Sequence, residues 1–280
     1  MLNPSRLYSF LDTKHGFALH FLEGQKLVHD LALIHSLRGS AFAYFRDSFL
    51  GFMPMICFLK QGENLGIYLD SENPYFRMKV EADHAGRVRT LLLPEEFNQF
   101  PMKITGSARV SKQFPNGEMP YTSIIQFKDV ETKELTNQLI RESYQVNAEV
   151  IVSEASDQAL IAIRLPPVNV NKESFVDPVS VTEYLKKQKN FLHGIFDEHL
   201  NDVQQVVKAF EAGPFAYLAS RQVSLACPCS KEQMMGHLRL LYSHDLDHLY
   251  AEKSVIETRC DYCKKVYSIV RSEIEDQKLN

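Results

Sequence analysis

The sequence predicts an α+β protein: a large N-terminal mixed domain with a mostly antiparallel sheet, a helical connector, and a small C-terminal module built on four cysteines. Three observations carry this expectation. Phe76, Met78, Val80 and Ala82 alternate with Arg77, Lys79, Glu81 and Asp83, the period of a strand with one wet face. Beyond residue 180 the apolar spacing changes to threes and fours, the period of a helix. Four of the five cysteines fall in two tight pairs, Cys227-Pro228-Cys229 and Cys260-Asp261-Tyr262-Cys263.

In chain order, residues 7–11 and 17–22 read as two short strands joined by Asp12-Thr13-Lys14-His15-Gly16. Residues 25–35 read as a helix with Leu27, Val28, Leu31 and Ile34 on one face; His29 and His35 belong to it without chemistry of their own. Residues 41–59 are apolar nearly all round and predict a buried helix that Pro54 kinks or ends, since proline lacks the backbone donor. The turn Asp83-His84-Ala85-Gly86 leads into a return strand over 87–93. Strands are expected at 104–112, 121–127, 147–153 and 159–165, and a helix near 133–143 with Leu135, Leu139 and Ile140 on one side.

Pro166, Pro167 and Pro178 mark a domain edge. Ser180 with Glu183 forms a capping box for a helix bearing Tyr184, Leu185, Phe191, Leu192, Ile195 and Phe196. A second helix carries Val203, Val206, Val207 and Phe210 and ends near Gly213-Pro214. Their apolar stripe must cover something. The expected organisation is an N-terminal domain over 1–172, a connector over 173–224 and the cysteine module over 225–280. In the module, Ser230 and Gln233 predict another capping box, and Met234, Leu238 and Leu241 a helical stripe. Strands at 255–259 and 266–270 flank the second cysteine pair, and Ser272 with Glu275 is expected to cap a last helix.

The formal charge of −4 and pI of about 6.2 argue against a protein that coats nucleic acid. Residues 225–280 hold eight Lys/Arg and nine Asp/Glu, a local net of −1, where a nucleic-acid module would show a basic excess. The opening MLNPSRLYSF lacks the apolar stretch of a signal peptide. The apolar run at 49–59 is short and holds Gly51 and Pro54, so it does not span a bilayer. A cytoplasmic protein without a membrane partner is expected. In that compartment thiols stay reduced, and paired cysteines bind metal or sense oxidants.

Two close cysteine pairs deliver four thiolates from two backbone turns, the donor set of a structural zinc site. Cys227, Cys229, Cys260 and Cys263 are therefore the expected ligands of one zinc ion per chain, with Lys231, Arg259, Lys264 and Lys265 near enough in sequence to offset its charge. His244 and His248, four apart between the pairs, are read as solvent-facing residues, and Cys57 as a buried inert thiol. Four thiolates leave no open position for substrate, and no Gly-x-Ser-x-Gly, P-loop or Gly-x-Gly-x-x-Gly occurs, so no enzymatic activity is expected. A module of about 50 residues buries too little apolar surface to be secure without its metal. Zinc-bound sulfurs are also thiolates, the form oxidants attack. Oxidation is thus convertible into unfolding.

The cysteine spacing, the text Ala226-Cys227-Pro228-Cys229-Ser230-Lys231-Glu232, and Tyr267 after the second pair resemble the 33 kDa heat-shock chaperone family, the redox-regulated bacterial holdases. Glu81-Ala82-Asp83 with Gly86-Arg87-Val88-Arg89 is similar to that family's sheet hairpin, and Pro120-Tyr121-Thr122-Ser123-Ile124-Ile125 to its proline-tyrosine strand. Thr90 stands where the family usually has glycine. The resemblance implies a zinc-loaded, reduced, inactive monomer. It implies oxidation to disulfides Cys227–Cys229 and Cys260–Cys263 with loss of zinc, unfolding of module and connector, a homodimer, and ATP-independent holding of unfolding client proteins. The residues alone leave three disulfide connectivities open. Two other readings compete: a binding protein with a purely structural zinc module that contacts RNA, and a thiol–disulfide oxidoreductase using Cys260 and Cys263, which lacks a thioredoxin-like βαβ context.

Overall fold

The computed structural model describes residues 2–95, 103–166, 179–242, 246–251 and 253–276. The chain divides into two compact units, Met1–Leu225 and Ala226–Asn280. The first opens with the hairpin β1 (Arg6–Asp12) and β2 (Phe17–Glu23), then helices α1 (Gln25–Ile34) and α2 (Gly39–Phe52). Pro54 does what its chemistry requires: the α-helix stops at Phe52 and a 3-10 turn, Met53–Phe58, takes over. Strands β3 (Asn64–Asn73), β4 (Tyr75–Asp83), β5 (Arg87–Leu93), β6 (Ile104–Gln113) and β7 (Tyr121–Val130) follow. Helix α3 (Thr132–Leu139) runs into a π-turn at Ile140–Tyr144, before β8 (Ala148–Val152) and β9 (Gln158–Arg164). The unit closes with α4 (Val181–Asp197), α5 (Val203–Glu211), β10 (Ala216–Gln222) and β11 (Ser224–Leu225).

The strands form two sheets rather than one. The first has order β10-β1-β2-β9-β8 and the second β11-β5-β4-β3-β6-β7, antiparallel except where β11 lies parallel to β5. The first sheet is buried on both faces, which explains why residues 159–163 are continuously apolar rather than alternating. Leu22, Ala159 and Ile161 face a core built with α1, α2 and the inner face of the second sheet. Tyr8, Phe10, Phe17, Leu19, Phe21, Leu160 and Ala162 face the opposite way, onto α4 and α5. There the Tyr184 ring stacks on Phe17 with centroids 3.8 Å apart, and Phe210 on Phe10 at 4.1 Å. The Tyr184 hydroxyl donates to the buried Asp12 carboxylate at 2.9 Å. The stripe read on the connector helices therefore covers the aromatic face of the first sheet.

Ser180 forms the expected reciprocal box with Glu183, and Asp202 caps α5 by accepting from the amides of Gln204 and Gln205. Thr90 is buried and its Oγ1 pairs with Nε2 of His35 at 2.7 Å, so His35 ties the end of α1 to β5. At the β4–β5 turn, Gly86 has φ of +84°, and a Cβ there would meet the Gln222 carbonyl oxygen at 2.3 Å. Glycine is required on both counts.

The second unit holds α6 (Lys231–Leu241), α7 (Leu246–Leu249), the hairpin β12 (Val255–Arg259) and β13 (Val266–Val270), and α8 (Arg271–Asp276). Its core is small: Met235, Leu238, Ile269 and Ile274, with Met234, Tyr250 and Ile256 packed against them. Two sequence expectations need correction. Leu241 is 76% exposed, and Met235 takes the place in the stripe that was given to it. Ser272 lies inside α8, and the Val270 amide is capped instead by Glu273, which accepts from it at 3.0 Å. Among the described residues, no helix is long and apolar enough to cross a membrane.

Candidate metal centre

The two cysteine pairs sit on different kinds of local structure. Cys260 and Cys263 lie on the turn that joins β12 to β13. The turn closes with Lys264 N–H donating to the Cys260 carbonyl at 2.8 Å and Cys260 N–H to the Lys265 carbonyl at 3.0 Å. Lys264 adopts φ of +60°, the left-handed geometry that reverses the chain. Cys227 and Cys229 stand just before α6, two positions apart, and both side chains reach the same cluster. Ser230 then caps the helix by accepting from the Gln233 amide at 3.3 Å. The unpaired amides of a helix start favour negative charge, and Cys229 adjoins this one.

The hairpin and the helix are held in register by their own contacts. Arg239 Nε donates to the Ile274 carbonyl at 3.0 Å, the Tyr250 hydroxyl donates to that of Ile269 at 3.2 Å, and Lys231 pairs with Glu273. The four Sγ atoms converge within 4.8 Å of one another. Cys227 and Cys260 are 3.7 Å apart, and Cys229 and Cys263 3.4 Å. Four thiolates on a tetrahedral ion with bonds of 2.3 Å would stand about 3.8 Å apart. The donor set and its spacing therefore fit one tetrahedral metal ion.

Burial acts to raise the Cys229 thiol, but hydrogen bonds from Tyr267 and the other three sulfurs outweigh it and bring it down to about 7. Cys263 moves the other way, to about 12, through burial and its contacts with the neighbouring thiols. The same cluster raises Tyr267, chiefly through its hydrogen bond to Cys229. The Tyr267 hydroxyl lies 3.1 Å from Cys229 Sγ and 3.0 Å from the Cys229 carbonyl oxygen. It pins the first pair to β13, a positioning role that the sequence reading did not give it. Its place four residues after Cys263, on a strand, was the available signal.

Of the cations expected near the sulfurs, Lys231 is engaged by Glu273, and Lys265 lies over the Tyr267 ring at 5.1 Å. Lys264 contributes its backbone turn. His244 lies outside the described residues, and His248 is exposed. Among the described residues, the four cysteines are the set of three or more metal-ligating groups close enough to share an ion. Cys57 is partly rather than fully buried against the main core of the first unit, and desolvation pushes its thiol far up, which disfavours the reactive thiolate.

A two-unit α+β protein with a C-terminal four-cysteine module is the class that this fold and site define. The family model described as Hsp33 protein matches residues 5–270, and the chain belongs to the Hsp33 family. It is 22% identical over 292 residues to the 33 kDa chaperonin of Aquifex aeolicus, covering 95% of this chain and 86% of that one. To the 33 kDa chaperonin of Geobacter sulfurreducens it is 26% identical over 272 residues, covering 89% and 86%. The crystal structure of the 33 kDa chaperonin (heat shock protein 33 homolog) from Thermotoga maritima matches with a TM-score of 0.74. That match covers 98% of this chain and 97% of that one at 13% identity, a likeness of fold.

Proposed function

We propose that the chain is a redox-regulated, ATP-independent holdase whose switch is the four-sulfur cluster. The convergence of Cys227, Cys229, Cys260 and Cys263 within 4.8 Å carries the reading, and membership of a chaperone family supports its holding role. When reduced, the four thiolates hold one zinc ion, which supplies a structural crosslink between the start of α6 and the β12–β13 turn.

Oxidant such as hypochlorite or peroxide takes two electrons from each thiolate pair, and each pair becomes a disulfide. Two disulfides need four electrons removed, hence two equivalents of oxidant. Following the family resemblance, the pairs are Cys227–Cys229 and Cys260–Cys263. Disulfide sulfurs no longer bind the ion, and the small core of Met235, Leu238, Ile269 and Ile274 must then hold the second unit alone. Structural zinc contributes an apparent ~10–16 kcal/mol to small modules, at least as much as the net stability of a typical domain. The module unfolds, and the connector helices follow. Residues 225–280 thus act as the switch and 173–224 as the cover. Residues 1–172 present the client surface, which includes the aromatic face now under Tyr184 and Phe210. The oxidised chain dimerises, works in the cytoplasm and performs no catalysis.

The test treats the reduced, zinc-loaded chain with hypochlorite and follows metal release, far-UV circular dichroism and aggregation of an unfolding client. Loss of about one zinc per chain together with new suppression of aggregation is expected. Zinc release without any holding activity rejects the reading.

A further inference from the structure

A switch that consumes oxidant competes with every other sulfur that the oxidant can reach. The chain holds eight methionines, of which Met1 and Met102 lie outside the described residues. Met53, Met55 and Met78 are buried in the core of the first unit. Met235 is buried in the core of the second, with Met234 packed against it. Met119 is 89% exposed, and among the described residues it is the one exposed methionine.

The local sequence keeps it there. The ladder between β6 and β7 ends at the pair Lys112 and Tyr121, so residues 114–120 run beyond the paired strands. Gly117 turns the chain with φ of +69°, a geometry that glycine adopts freely. Pro120 then restricts Met119 to extended backbone. Glu118, Met119 and Pro120 are all exposed. A side chain this bare contributes little packing, so its chemistry can change without cost to the fold.

A thioether is a neutral two-electron nucleophile. Hypochlorous acid transfers chlorine to the sulfur and releases hydroxide, and water then displaces chloride. The sum is thioether plus HOCl giving sulfoxide, a proton and chloride: sulfur loses two electrons and chlorine gains them. Peroxide is slower on a thioether, which lacks the anionic form that makes a thiolate reactive. The sulfoxide is returned to the thioether by reductases, so the change is reversible.

We propose that Met119 is a second oxidation site of this chain, one that takes hypochlorite in competition with the four cysteines. Its consequence rests on the holdase reading above; the sulfoxide itself does not. One equivalent spent on Met119 adds to the two that the disulfides require. Hypochlorite then completes the switch at about three equivalents per chain, and peroxide at about two. The exposed thioether thus raises the threshold for one class of oxidant and leaves it unchanged for the other.

The reduced, zinc-loaded full-length chain is titrated with hypochlorite, and metal release and tryptic peptide masses are followed together. Trypsin isolates Met119 on Gln113–Lys128, which holds no other methionine and no cysteine. This peptide should gain one oxygen atom over the doses that release the metal, while Met53, Met55 and Met78 stay unmodified. Met119→Leu, a volume-conserving change at an exposed position, should lower the hypochlorite endpoint of metal release by about one third and leave the peroxide endpoint unchanged. An unmodified Gln113–Lys128 at full metal release overturns the proposal, as does a Met119→Leu endpoint equal to that of the wild type, or equal modification by the two oxidants. Sulfoxide at Met119 on a chain that loses its metal without gaining holding activity upholds the site and rejects the holdase reading alone.

Discussion

Single side chains set the chemistry at two places. The Tyr267 hydroxyl sits 3.1 Å from Cys229 Sγ and 3.0 Å from its carbonyl. Tyr267→Phe keeps the ring and its packing but removes that donor. Groups of this kind around metal ligands are worth about 10–100-fold in affinity, and a fall in that range is expected when zinc is competed away by a chromogenic chelator. An unchanged affinity would show that the tyrosine only fills space. Glu23 makes a different prediction, with a definite sign. Its carboxyl is raised from 4.5 to about 7 in the folded chain, so between those values the native state holds a proton that the unfolded state has lost. The contribution of Glu23 to stability is therefore intact below about pH 4.5, falls as pH rises, and levels off above about 7. Glu23→Gln should remove that decline. The measurement is denaturant midpoint against pH for both proteins, and parallel curves from pH 5 to 8 would refute it.

Elements were legible in the sequence where one of their faces is dry. Strand β4 showed its period because Phe76, Met78, Val80 and Ala82 are all buried while their neighbours are partly or fully wet. Strand β3 is not legible in the sequence although Leu65, Ile67, Leu69 and Ser71 alternate inward. Gly66 interrupts its apolar run, where the glycine leaves room for the Tyr68 ring at 2.9 Å from a would-be Cβ, and its last residues are polar. Strand β10 left no period to read: Ala216–Gln222 is an edge strand with no fully buried residue, placed by its ladder to β1. The cysteine pairs were legible because their spacing alone states a donor set. Tyr267 was not, since its role depends on a fold that brings β13 beside Cys229. The connector's stripe is legible in the sequence, whereas the sheet face that it covers is set by tertiary packing. Helix α5 should thus be sensitive to its anchor. Phe210 is fully buried and stacked on Phe10, so Phe210→Ala should cost about 3–5 kcal/mol. Hydrogen exchange of the α5 amides should accelerate, and on the proposed mechanism less oxidant should bring on holding activity. Wild-type protection in α5 would mean that the stack contributes little.

At the scale of the whole molecule, stability is unevenly distributed between the two units. Met1–Leu225 carries two large apolar clusters and two multistranded sheets. Among the described residues, Ala226–Asn280 carries one apolar cluster of four buried side chains, one two-stranded hairpin and the sulfur cluster. Buried area is what opposes conformational entropy, and a unit this small has little of it. On the proposed reading its fold is then conditional on the metal crosslink, whereas that of the first unit is not. Removing the metal from the reduced chain with a strong chelator isolates this asymmetry from any disulfide chemistry. Amides of α6, β12 and β13 should lose protection in hydrogen exchange, while those of β2, β3 and β9 keep it. Far-UV circular dichroism should fall only by the share of the smaller unit, and re-adding zinc should restore both signals. Protection retained in β12 and β13 after complete metal removal would show that the small core suffices, and a switch driven by loss of the ion would then have nothing to release.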